Sequence, residues 1–212
     1  MRTEDLIEHL AADARPRAMT LSSVWWAAFA AATVLAAAIF FVSLGPRPDI
    51  AAAAETPRFV FKFVFTAALV AGAFGLIRAL SRPGESWRGR APYLAVAPAL
   101  LMVALAAELI VVPPEAWPAR LVGANGMVCL TFIPVIGAGP LVIFVLALRH
   151  GAPTRPMLAG ATAGLLAGGI AAAFYAAQCT DDSPLFVAAW YTVALAGLAL
   201  AGAAAGRQFA RW

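Results

Sequence analysis

Cys129 and Cys179 are the only thiols in this 212-residue chain, 50 positions apart. Two thiols can form one disulfide or hold one thiophilic metal ion. With only His9 and His150 beside them, they are too few for a closed structural zinc site or haem attachment. Asp181 and Asp182 follow Cys179 directly, and Glu108 and Glu115 are expected at the same depth, so carboxylates stand ready as extra ligands to soft thiolates. Three readings of the pair stand side by side. The cysteines are buried small hydrophobes, a static disulfide of an oxidising compartment, or a switch that is oxidised or captures a metal at Cys129, Cys179, Asp181 and Asp182. The two aspartates can equally be solvated loop residues or charges favouring the start of the next helix. The chain has no P-loop, HExxH, GxSxG or CxxC, so neither a cofactor nor catalysis is expected.

The elements that position these residues follow from composition. Hydrophobic residues make up 63% of the chain and charged residues 12%, against about 45–50% and about 25% in soluble proteins. A soluble domain of this size cannot hide so much apolar surface. The expectation is an all-α membrane protein with six spans at 21–44, 59–80, 92–112, 126–148, 157–178 and 185–206, joined by short loops. No remaining piece is long enough for a soluble domain, which argues against nucleotide-driven chemistry. The length of the first apolar run and the acidic tail before it favour a span over a cleaved leader, despite the small residues at 51–54.

Local signals mark the ends. Thr56-Pro57, Thr154-Arg155-Pro156 and Ser183-Pro184 each pair a hydroxyl cap with a first-turn proline. Trp25, Trp26, Trp117 and Trp190 fall near span ends, where indoles favour the headgroup level. Pro134 and Pro140 are expected to kink the fourth span. Lys62 and Glu108 lie within a turn or so of the outer face, where snorkelling to the interface, or pairing with each other, accounts for them.

Fourteen of the fifteen cations are arginine, and eleven of the fifteen fall on the tail, the even-numbered loops and the C-terminus. The other side has Arg47, Arg58, Lys62 and Arg120. By the positive-inside rule both termini are cytoplasmic, and the arginines of 82–90 need no nucleic acid to explain them. Both cysteines then lie about 30 Å from the loop 149–156, at one depth on the outer face. Gly160, Gly164 and Gly168 form a helix-packing stripe expected to bring a neighbour close, with the fourth and fifth spans as a hairpin.

Residues 1–20 form the cytoplasmic tail and 207–212 the cytoplasmic C-terminus. In the tail, Thr3 can cap a short amphipathic helix with Glu4 and Asp5 in its first turn and Leu6, Ile7 and Leu10 on one face. A helix this short needs a surface to lie on. Its acids argue for a protein partner rather than anionic lipid.

The opening Met1-Arg-Thr-Glu-Asp-Leu-Ile-Glu-His-Leu-Ala-Ala-Asp-Ala-Arg-Pro16, the loop Arg149-His-Gly-Ala-Pro-Thr-Arg-Pro156 and the segment Cys179-Thr-Asp-Asp-Ser-Pro-Leu-Phe-Val-Ala-Ala-Trp-Tyr191 resemble the NrsF family, negative regulators of sigma-F type extracytoplasmic-function sigma factors. With six spans the resemblance covers essentially the whole chain. It implies a non-enzymatic anti-sigma factor of the bacterial inner membrane. Leu6, Ile7, Leu10, Glu4 and Asp5 would contact the sigma factor, while Cys129 and Cys179 would receive an oxidative or heavy-metal signal. Gln178 stands where many members have histidine before the second cysteine, which favours thiol oxidation over metal ligation. A small transporter or a quinone-linked thiol oxidoreductase remain alternatives. The first needs polar groups at mid-membrane depth and the second a CxxC-type pair.

Overall fold

The computed structural model describes residues 3–5, 7–8 and 20–209. Six helices are long and apolar enough to cross a membrane. Their parts are α1 (Leu21–Ser43), α3 (Pro57–Leu80), α4 and α5 (Ala91–Leu94 and Val96–Val111), α7 (Gly126–Leu148), α8 (Pro156–Ala176) and α9 (Pro184–Phe209). The short helices α2 (Ile50–Ala54) and α6 (Trp117–Val122) lie in the connections. No strand occurs among the described residues, as expected where every backbone polar group must be satisfied within its own segment.

Caps set several starts. The Thr20 and Thr56 hydroxyls accept from the amides of Ser23 and Phe59, and the Ser183 hydroxyl accepts from Leu185. Prolines follow directly at 57 and 184. Thr154, by contrast, makes no cap, because Arg155 takes the position before α8 without a side-chain bond. The fourth span runs as one helix with Pro134 and Pro140 inside it rather than breaking, in keeping with the tolerance of membrane helices for proline. The sixth span passes through a π-helical turn at Val187–Tyr191.

At the centre stands α8, two-thirds buried, packed on α9, α3, α7 and α1. Its glycines decide its nearest partner. A Cβ on Gly160 would overlap the carbonyl oxygen of Gly202, and one on Gly164 that of Leu198. On α9, Gly202 and Gly206 are crowded by the Gly160 and Pro156 carbonyls in return. The stripe therefore serves the contact of the fifth span with the sixth, not with the fourth, because glycine faces glycine only across α8 and α9. Around this pair Trp25, Phe40, Ile133, Ile136, Phe144 and Leu166 close the core. Trp25 belongs there and not at the headgroups: it is 1% exposed and stacks on Phe144 at 6.3 Å.

The outer helices α1 and α5 turn large apolar side chains outward, among them Val34, Phe41, Val42, Met102, Val103 and Ile110. Such a surface suits lipid, since hydrocarbon rather than water is its solvent.

Candidate functional site

The segment Cys179–Ser183, between α8 and α9, meets residues from every other connection at its end of the bundle. Its conformation starts with Cys179, whose amide donates to the Tyr175 carbonyl at 3.0 Å and so ends α8. The Tyr175 hydroxyl donates to the Asn125 carbonyl at 3.4 Å, and that carbonyl also accepts from the Cys129 amide at 2.8 Å. A short hydrogen-bonded path thus joins the two cysteines. Both are free thiols, both are buried, and each lies within electrostatic reach of the other. Burial pushes the Cys179 thiol above the usual range, with the Lys62 ammonium opposing it. That shift disfavours the Cys179 thiolate and slows it as a nucleophile.

The carbonyl of Cys179 faces cations. The Lys62 ammonium donates to it at 2.8 Å and the Arg47 guanidinium at 3.4 Å. Lys62 is wholly buried, pairs with Asp182 at 2.5 Å and lies over the Phe59 ring at 5.2 Å. Arg47 clamps Asp49 through two bonds of 2.7 Å and reaches Asp182 at 3.0 Å. The bond to Asp49 raises the Arg47 value and, reciprocally, holds the Asp49 carboxyl below the usual carboxylate range.

Asp181 turns the other way. Its carboxylate accepts from the amides of Ala124 and Asn125 at 3.0 and 2.8 Å and from the Asn125 side chain at 2.8 Å, satisfying donors just before α7. Gly123, at φ +59, makes the turn, and a Cβ there would strike the Phe186 ring and the Asp181 carboxylate. Ser183 closes the segment by donating to Glu108 at 3.1 Å. Glu108, 4% exposed, also takes Arg58 at 2.9 Å and Arg120 at 2.7 Å.

Lys62 and Glu108 therefore neither snorkel nor pair with each other. Both are buried against one segment, Lys62 at Cys179 and Asp182 and Glu108 at Ser183, each matched by opposite charge, as a buried ion requires. The four cations counted on this side from sequence, Arg47, Arg58, Lys62 and Arg120, are all consumed in ion pairs. Asp182 is occupied in the same way and Asp181 by the amides of Ala124 and Asn125, Glu115 is exposed, and among the described residues no three metal-binding side chains converge. Sequence reasoning missed Arg47, Arg58, Arg120, Asn125 and Ser183 as partners of this segment. The available signal was charge balance: four cations and a cluster of carboxylates on a side that has little water-exposed chain.

Of the tail, Glu4, Asp5 and Ile7 are helical and exposed, whereas Leu6 and Leu10 lie outside the described residues. Ile7 is 61% exposed, a large apolar side chain turned outward.

Comparison with known proteins gives this arrangement a setting. The chain is 35% identical over 214 residues to the anti-sigma-F factor NrsF of Caulobacter vibrioides, covering 100% of both chains. It is 34% identical over 221 residues to the probable anti-sigma-F factor NrsF of Azospira oryzae, again over 100% of both. No solved structure matches it. The family described as negative regulator of sigma F matches residues 10–212. This six-span, non-enzymatic regulator belongs to the NrsF family.

Proposed function

We propose that the chain is a membrane-held anti-sigma factor that sequesters an extracytoplasmic-function sigma factor at the bacterial inner membrane. It releases that factor when Cys129 and Cys179 meet an oxidant or a thiophilic metal. The charge distribution supports an orientation with both termini cytoplasmic. The cations of the cysteine end are all neutralised in ion pairs, whereas Arg88, Arg90, Arg149 and Arg155 at the opposite end are exposed and, among the described residues, carry no ion pair. The tail then faces the sigma factor, with Glu4, Asp5, Leu6, Ile7 and Leu10 as the contact.

The observation that carries the sensing role is the joint burial of two free thiols beside the segment that ties the outer connections together. Oxidation by hydrogen peroxide would break two S–H bonds and the peroxide O–O bond and form one S–S bond, the two electrons and two protons passing to the peroxide, which leaves as two waters. Metal capture would instead release two protons and bind two thiolates. Either step changes where Cys179 sits, and Cys179 ends α8. That helix is about 30 Å of rigid rod. At its other end the loop 149–156 is fastened to α3, where the Ala152 amide donates to the Ser81 carbonyl at 3.1 Å and Gly151 packs on Ser81. A displacement at Cys179 thus reaches the inner loops through α8, which the glycine contacts hold against α9. The signal releases the partner only so far as the two arrangements differ in affinity for it.

Affinity capture of the full-length protein from its own cells, beside a form lacking residues 1–18, tests the reading. A sigma factor retained only by full-length protein supports the tail contact, and retention by both moves the contact to the inner loops. Retention by neither, with stable expression, overturns the anti-sigma role.

A further inference from the structure

The inner half of α3 is not fully covered by its neighbour. The fourth helix crosses it closely at one point, where a Cβ on Gly72 would lie 2.7 Å from the Tyr93 carbonyl oxygen. Beside that crossing a crevice of about 370 Å³ stays open, lined by Ala68, Ala71, Gly72 and Gly75 of α3 and by Arg90, Tyr93 and Val96. A Cβ on Gly75 would meet nothing within 4 Å, so the floor of the crevice is empty space and not a helix contact. Its mouth has a charge. Arg90 is exposed and takes part in no ion pair among the described residues, whereas nearby Arg82 is paired with Glu85. Arg88, also exposed, does not line the crevice, and Arg155 is turned to the Trp87 ring at 5.1 Å.

The shape and chemistry match one occupant. From Gly75 to Ala68 the crevice descends about 10 Å along α3 from its inner end, which is the reach of part of an acyl chain and too short for several turns of a packed helix. Arg90 and the exposed Tyr93 sit at the headgroup level, where a guanidinium forms paired bonds to phosphate. We propose that this crevice binds one anionic glycerophospholipid of the inner leaflet, with its phosphate on Arg90 and an acyl chain against Gly75 and Ala71.

The test is native mass spectrometry of the full-length protein titrated with phosphatidylglycerol and, separately, phosphatidylcholine. The wild type should retain one phosphatidylglycerol in preference to phosphatidylcholine. Arg90→Gln should lose about fivefold in retention, the value of one basic side chain at a lipid surface, and Arg88→Gln should lose little. Gly75→Leu fills the empty floor and should abolish retention with Arg90 intact. Ala71→Leu, on the exposed side of the same crevice, repeats the test should Gly75→Leu not fold. Equal retention in the filled variants, or equal loss in Arg88→Gln and Arg90→Gln, overturns the proposal. So does a change of oligomeric state without a change of lipid retention, which would give the crevice to a second copy.

Discussion

The Lys62 ammonium, with none of its side chain exposed, donates to the backbone carbonyl of Cys179 at 2.8 Å. The residue bearing one thiol is thus gripped through its main chain by a buried charge, and that charge is balanced by Asp182 three positions further on. Any chemistry at the thiol acts against this grip.

Removing one partner of that pair leaves the other buried and uncompensated. Asp182→Asn is expected to destabilise by about 3 kcal/mol, at the lower end for a broken buried pair because Asp182 is partly exposed. Thermal unfolding of the detergent-solubilised protein measures it. A midpoint equal to wild type would show that Lys62 is hydrated and not locked.

Glycines on the α8–α9 face should tolerate no side chain. Gly164→Ala places a Cβ against the Leu198 carbonyl, a backbone atom that cannot rotate away, and should cost about 1–3 kcal/mol. Gly197→Ala, where a Cβ meets nothing within 4 Å, should be neutral or stabilise by up to about 1 kcal/mol. Comparing their unfolding midpoints decides between close packing of the two spans and a loose bundle.

Cysteine chemistry in the folded protein should be slow at neutral pH and quicken as pH rises, because burial lifts the Cys179 thiol and only the thiolate reacts. Alkylation followed over a pH series, native against detergent-unfolded, gives the contrast. Cys129→Ser and Cys179→Ser should block induction while leaving sequestration intact. Normal induction of a sigma-dependent reporter in both variants would sink the sensor role.

The Arg47 clamp gives acid a point of attack. The carboxyl of Asp49 is depressed by its bonds to Arg47, so its stabilisation is complete above the ordinary carboxylate value of about 3.9 and is lost as pH falls through the folded value. The gap in unfolding midpoint between wild type and Asp49→Asn should be small, since Asp49 is exposed. That gap should be widest at neutral pH and close in acid. A gap independent of pH would mean that the ion pair contributes nothing.

Much of this protein was legible from composition and local pattern. Six apolar runs could only be spans, because a bilayer demands about 20 apolar residues and internal hydrogen bonding. The hydroxyl–proline pairs at 56–57 and 183–184 marked helix starts, since capping is local chemistry. The resemblance carried by 149–156 and 179–191 pointed to the regulator family. The tertiary structure alone decided which surfaces meet. Amphipathic periodicity is weak in a membrane helix, because lipid and core are both apolar, so the sequence could not say that Gly160 and Gly164 face the sixth span or that Trp25 turns inward. Nor could it pair the charges. Lys62 lies 120 positions from Asp182 and Glu108 lies 50 from Arg58, and only the packing of the spans and connections at this end of the bundle brings each buried charge to the partner that its desolvation requires.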